Sequence, residues 1–168
     1  MTTAGSQPHR RQPSTTVVRT ANLRSRIDAE TLVRLLDEYA ADAMGRGQPL
    51  SAAARQRIVP NLLELPSVRV YLAETEGQAT GAAVCFLQYS TFGAFPLLNI
   101  HDFVVTASAR GRGIGRAFLE AICQDAKSRG CGKVTLEVRE DNIVAQRLYR
   151  TEAFEECAPH MLFWQRLL

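Results

Sequence analysis

Residues Leu97 to Tyr149 read LLNIHDFVVTASARGRGIGRAFLEAICQDAKSRGCGKVTLEVREDNIVAQRLY. An apolar strand runs into a loop with three glycines. The loop opens a helix, a second strand follows, and a short helix ends on a tyrosine. The loop itself is Arg110-Gly111-Arg112-Gly113-Ile114-Gly115, at a strand-to-helix junction. Glycines there let the backbone approach a ligand closely. The free N–H groups and positive dipole end of the following helix suit a pyrophosphate. A Walker loop is excluded, because no lysine follows the glycines. A dinucleotide fingerprint is excluded too: its third glycine would fall on Arg116 counted from Gly111, and on Phe118 counted from Gly113. The remaining alternative is a turn that only tightens strand–helix packing.

Two further constellations can carry chemistry. Asn142 and Tyr149 are separated by nearly two helical turns, so both side chains share one face with Ala145 between them. A tyrosine hydroxyl can protonate a leaving thiolate, and an amide can orient an acyl carrier. The alternative is a buried tyrosine with a structural hydrogen bond. His101-Asp102 is a polar pair inside an otherwise apolar strand, where it needs a partner or a task. Either group could take a proton from an ammonium substrate. Neighbouring strand residues face opposite sides, so both reach one pocket only if a bulge intervenes.

Outward from this stretch, the pattern predicts β-α-α-β-β-β-α-β-α-β-β, a mixed α/β chain around one sheet. Residues 1–14 are polar with two prolines and are expected to form a disordered tail. A single domain is expected over 15–168. Thr15 to Thr20 reads as a first strand. Asp28 reads as the N-cap of a helix with Leu32, Leu35, Leu36 and Tyr39 on its apolar face. Ser51 opens a second helix that Pro60 should kink or stop. Val68 to Glu74 and Ala79 to Tyr89 flank a Glu76-Gly77-Gln78 turn, with Gly81 suggesting a bulge. Leu97 to Val105 is the fourth strand, Gly113 to Arg129 the third helix, and Lys133 to Arg139 the fifth strand. Two short strands are expected at the end, around Glu155 and over His160 to Arg166.

The net charge of +3 is uneven. Residues 1–26 carry Arg10, Arg11, Arg19, Arg24 and Arg26 and no acid, leaving 15 basic against 17 acidic residues in the remainder. A nucleic-acid partner is therefore not implied. Cys85, Cys123, Cys131 and Cys157 form no CxxC pair and have no histidine at zinc spacing, so no metal site is expected. Scattered thiols fit a reducing cytoplasm. No stretch approaches the ~18 apolar residues of a membrane span, and the N-terminus lacks a signal-peptide core. No membrane partner is expected.

ARGRGIG, the amphipathic helix after it, the strand LEVRE and EDNIVAQRLYRTEAF together resemble the GCN5-related N-acetyltransferases (GNAT) over roughly residues 97–157. The family's loop pattern [RQ]-x-x-G-x-[GA] falls on Arg110, Gly113 and Gly115. The resemblance implies a GNAT fold: one mixed sheet of six to seven strands flanked by about four helices, with strands four and five splayed. It implies acetyl-CoA as cofactor. Backbone groups of Phe103, Val104 and Val105 would meet the pantetheine. Amides from Arg110, Gly111, Arg112, Gly113, Ile114, Gly115 and Arg116 would hold the pyrophosphate, Asn142 would contact the cofactor, and Tyr149 would be the general acid. The segment Tyr89 to Phe92 and the acidic strand look like the diamine acetyltransferase branch, so Tyr89, Phe92, His101 and Asp102 are expected at the acceptor, Asp102 as a catalytic base. That branch has Glu-Asp where this chain has His101-Asp102, which weakens a polyamine assignment. A second departure is Ala153, where the family usually has glycine. The implied activity is acetyl transfer to a primary amine of a small molecule, in a homodimer. Alternatives are acetylation of a protein lysine or N-terminus, and a non-catalytic acetyl-CoA sensor.

Overall fold

A computed structural model describes residues 15–167; the tail expected over 1–14 lies outside the described residues. Five strands, β1 (Thr16–Thr20), β2 (Val68–Thr75), β3 (Gln78–Ser90), β4 (Phe95–Val105) and β5 (Lys133–Leu136), stand in the sheet in chain order. The first four are antiparallel, and β5 runs parallel to β4. The helices are α1 (Arg26–Ala41), α2 (Ala52–Leu63), α3 (Ile114–Ser128) and α4 (Ile143–Thr151).

The strand period of two sorts the core into two layers. Tyr71, Ala73, Ala83, Cys85, Leu98 and Ile100 face α3, where Ile114, Phe118, Leu119 and Ile122 are buried against them. Their neighbours Val70, Leu72, Ala82, Val84 and Val104 face Leu32, Leu35 and Leu36 of α1. Glu76 and Gly77, with φ of 55° and 76°, join β2 to β3 in a two-residue turn whose positive dihedrals match the strand twist. The register slips where Ala73 pairs Gly81 and Glu74 pairs Ala79, so the irregularity expected at Gly81 lies beside it. A Cβ on Gly81 would come within 2.9 Å of the Val104 carbonyl, so the two strands meet closely there.

Several expectations are corrected. Ser25, not Asp28, is the N-cap of α1. Asp28 lies in the first turn, buried, and accepts from Arg19 Nη1 and Nη2 at 2.8 Å each and from the Asn22 amide at 2.7 Å. Pro60 does not stop α2, which continues to Leu63; the bond its missing N–H forfeits is to Gln56, whose carbonyl lies on an exposed turn open to water. Among the described residues the sheet has five strands rather than the six to seven expected. Residues 155–167 form no strand, and Met161, Leu162, Phe163 and Trp164 are exposed. The edge that could have received them is short, because β5 ends at Leu136 rather than Arg139.

Candidate active site

The end of β5 has a cause in β4. Val84 pairs Asp102 and Cys85 pairs Ile100, so His101 is an extra residue, a bulge that bends β4. The last pair with β5 is Ile100–Leu136. Beyond it the two strands part, and residues 137–139 become the wall of a cleft. Thr106 donates to the Thr80 carbonyl at 2.8 Å. By the alternation of an antiparallel ladder, Phe103 and Val105 then turn their amides and carbonyls away from β3 and into the cleft. Val104 spends its own on β3. The Val105 carbonyl accepts from Arg110 Nε at 2.9 Å.

A cavity of about 590 Å³ fills this opening, between the splayed strands, the glycine loop and α4. Gly111 and Gly113 have φ of 74° and 80°, and Gly113 caps α3 without a side chain. Among the described residues, no backbone acceptor takes the amides of Gly111, Gly113, Ile114, Gly115 or Arg116. A Cβ at Gly111 or Gly113 would meet nothing, whereas one at Gly115 would press Leu148 at 3.2 Å. Open space over a row of unsatisfied donors at a helix N-terminus fits a pyrophosphate. The arginines of the loop are engaged elsewhere: Arg110 with Asp42 at 2.9 Å, Arg112 with Glu76 at 3.0 Å, Arg116 with Glu152 at 2.9 Å. Arg110 and Arg116 line the cavity, and Arg112 does not.

Tyr149 is buried at the same cavity, its ring 6.4 Å from Phe103 and 5.9 Å from Phe154. Its hydroxyl makes no hydrogen bond among the described residues. Burial, and then Tyr39, push its pKa up to about 12, so the phenol is protonated at neutral pH. Asn142 lines this cavity too, but its Oδ1 caps α4 by accepting from Ala145 at 3.2 Å.

A second cavity of about 680 Å³ lies on the opposite side, under α1 and α2. The bulge brings both His101 and Asp102 to it, the condition under which the pair can share a pocket. Burial lifts the Asp102 carboxyl above the usual carboxylate range, with His101 pulling the other way. Tyr39, Met44, His101 and Arg139 line both cavities. Arg139 grips Asp141 at 2.7 Å and donates to the Ala43 and Gly45 carbonyls at 3.4 and 3.2 Å, tying the cleft wall to the segment after α1. Tyr39, Met44 and Arg139 were not singled out from the sequence. Tyr39 reads there only as part of an apolar helix face. Tyr89 and Phe92 stand exposed at the β3–β4 turn and line neither cavity. Among the described residues no group of acids, histidines and cysteines could hold a metal, and no helix is long and apolar enough to cross a membrane.

A glucosamine 6-phosphate N-acetyltransferase of Trypanosoma brucei brucei is 33% identical over 76 residues, 45% of this chain and 52% of that protein. The chain thus spans about half of that relative. An integron cassette protein from the Cole Harbour salt marsh metagenome is 30% identical, with a TM-score of 0.74 over 90% of each chain. The aminoglycoside N-acetyltransferase AAC(6')-Iy, solved with CoA, shares the fold at 17% identity, with a TM-score of 0.71 over 93% of this chain and 98% of that one. The acetyltransferase (GNAT) family matches residues 31–154, from α1 through the glycine loop to the end of α4. With that match running through both cavities, the chain belongs to the GNAT acetyltransferase family.

Proposed function

We propose that the protein transfers an acetyl group from acetyl-CoA to a primary amine of a small molecule, by direct attack in a ternary complex. The observation that carries this reading is the meeting of two cavities at Tyr39, Met44, His101 and Arg139, with Tyr149 on one side and Asp102 on the other. When bound, acetyl-CoA supplies the acyl thioester and a thiol leaving group. The loop amides from Gly111 to Arg116 hold phosphate oxygens. The cleft-facing amides of Phe103 and Val105 offer hydrogen bonds to carbonyl oxygens, the donor type that stabilises a developing oxyanion. The Asp102 carboxylate accepts the proton an ammonium must lose, and Tyr149 presents its own proton toward the leaving sulfur. Because α2 and the segment before it roof the second cavity, a small acceptor fits better than a peptide.

Calorimetric titration with acetyl-CoA and a CoA-release assay over amines and peptides test the reading. Micromolar binding with amine-dependent release supports it. No binding at millimolar acetyl-CoA sinks it, and binding without release from any acceptor would leave a sensor. The same reading includes a homodimer and a cytoplasmic setting. The exposed Met161, Leu162, Phe163 and Trp164 and the short outer edge of β5 support the first. The four free thiols support the second. Light scattering with and without residues 160–168 tests the dimer.

A further inference from the structure

We propose that the acceptor is a primary monoamine on an apolar body, of the phenylalkyl or branched alkyl class, and that the site rejects polycations. The inference rests on the acetyl-transfer reading and names its second substrate. The cavity beside Asp102 is walled by Leu36, Leu50, Ile58, Leu62, Val84 and Phe86. Its roof is α2, a helix with no fully buried residue. Ala54, Ile58 and Leu62, each four residues from the next, are half-buried and line the cavity. Ile58 and Leu62 pack at one side against the α1-side core and present the rest of their surface to the cavity, which gives a ligand pocket with apolar walls and few polar groups.

The charges decide the class. Among the lining residues Asp102 is the one carboxylate, and the basic groups are Arg46, Arg139 and His101. One ammonium is matched by Asp102. A second ammonium, as in a polyamine or an aminoglycoside, meets aliphatic walls or guanidinium groups. Desolvating it without a partner and placing it near like charge are both unfavourable. An aryl or branched alkyl group instead covers the leucines, and Phe86 offers a ring for an aromatic body. Phe86 also packs edge-on against His101 at 5.6 Å, next to the carboxylate. The apolar wall and the amine-binding end are thus adjacent.

The test uses the full chain, with acetyl-CoA affinity measured first and CoA release then followed with phenethylamine, isoamylamine, spermidine, kanamycin and a lysine peptide. The expected kcat/KM for phenethylamine or isoamylamine exceeds that for spermidine and kanamycin by about 10²-fold. Ile58→Glu is expected to raise the phenethylamine KM at least about 10-fold and to narrow the gap to spermidine, with the acetyl-CoA Kd unchanged. Ala54→Trp, which fills the roof from a partly exposed site, is expected to raise the same KM if Ile58→Glu fails to fold. Equal or better use of spermidine, kanamycin or the peptide overturns the proposal, and so does an unchanged KM in both variants. Acetyl-CoA binding without turnover of any amine overturns it too. Absence of acetyl-CoA binding overturns the underlying reading and this proposal with it.

Discussion

The amide of Phe154 donates to the carbonyl of Tyr149 at 3.0 Å, and the two rings pack 5.9 Å apart. With the Ala153 amide on the Arg150 carbonyl at 3.2 Å, these bonds close α4 in a Schellman ending, including its apolar contact. The motif that terminates the helix therefore also fixes the ring whose hydroxyl faces the cleft. Its left-handed residue is Ala153, at φ 59°. A Cβ there costs about 1–2 kcal/mol, and glycine gives back about 0.5–1 kcal/mol through the freer unfolded chain. Ala153→Gly should then stabilise the fold by about 0.5 kcal/mol, read as a higher urea midpoint, with turnover unchanged. A lower midpoint would mean that the alanine methyl packs usefully.

Tyr149→Phe keeps the ring against Phe103 and Phe154 and removes only the hydroxyl. The hydroxyl has no partner within the described residues, so the fold loses no bond. We expect kcat to fall about 10²-fold, at the low end for a positioned acid. A phenol near pKa 12 is a poor match to a thiol near 8.5, so under the proposed function it would act chiefly as a hydrogen-bond donor to the departing sulfur. Acetyl-CoA affinity should be unchanged by calorimetry. Unaltered turnover would assign the proton to water.

What the sequence discloses here follows the range of the interactions. The glycine loop and α3 are legible because their causes lie within a few residues: positive φ and a helix period. The bulge at His101 is legible only as a condition, since its register is set by the pairing of Val84 and Cys85. Tyr39 and Arg139 belong to the site through contacts between distant segments, and nothing local separates them from an ordinary helix face and strand end. Asp28 has the residue type of a cap, yet Arg19, from the neighbouring strand, claims it. The final stretch is a short apolar run with two aromatics, which reads like a strand, but pairing needs an edge, and the edge at β5 is four residues long.

The pH dependence of turnover should carry the mark of Asp102. Its carboxyl is raised by burial, and the form that accepts a proton is the ionised one. Activity should therefore rise with pH through a value above the ordinary carboxylate pKa of about 3.9. Tyr149 must keep its proton, and with a pKa of about 12 it imposes no falling limb below about pH 11. A kcat/KM profile of Asp102→Asn should lose the rising limb and fall about 10²-fold. Retention of the limb in that variant would assign it to another group.

Asp28 should govern acid stability. Arg19 and the Asn22 amide hold its pKa below the usual carboxylate range, so the ionised form is favoured in the fold. A depressed folded pKa contributes stability above the unfolded value, and that contribution is lost as pH falls through the folded one. Asp28→Asn should cost about 2 kcal/mol at pH 7, the scale of a hydrogen bond to a charged group. The gap to the parent should begin to narrow below the ordinary carboxylate pKa of about 3.9 and close as pH falls through the depressed folded value. Urea unfolding at both pH values measures this, and a pH-independent gap would point to packing instead.

The glycine loop yields a test that separates backbone strain from ligand contact. Gly113 and Gly130 stand at opposite ends of α3, with φ of 80° and 77°. An added Cβ meets no atom within 4 Å at either position. Alanine therefore imposes the same left-handed cost at both, about 1–2 kcal/mol of stability, with no steric clash in the protein itself. Only at Gly113 does the new methyl enter the space above the free amides of the cavity. Gly113→Ala should weaken acetyl-CoA binding at least about 10-fold, a loss of about 1.4 kcal/mol. Gly130→Ala should lose as much stability as Gly113→Ala and bind acetyl-CoA as tightly as the parent. If both variants bind like the parent, Gly113 serves only the turn, and the phosphate-holding role of the loop falls with it.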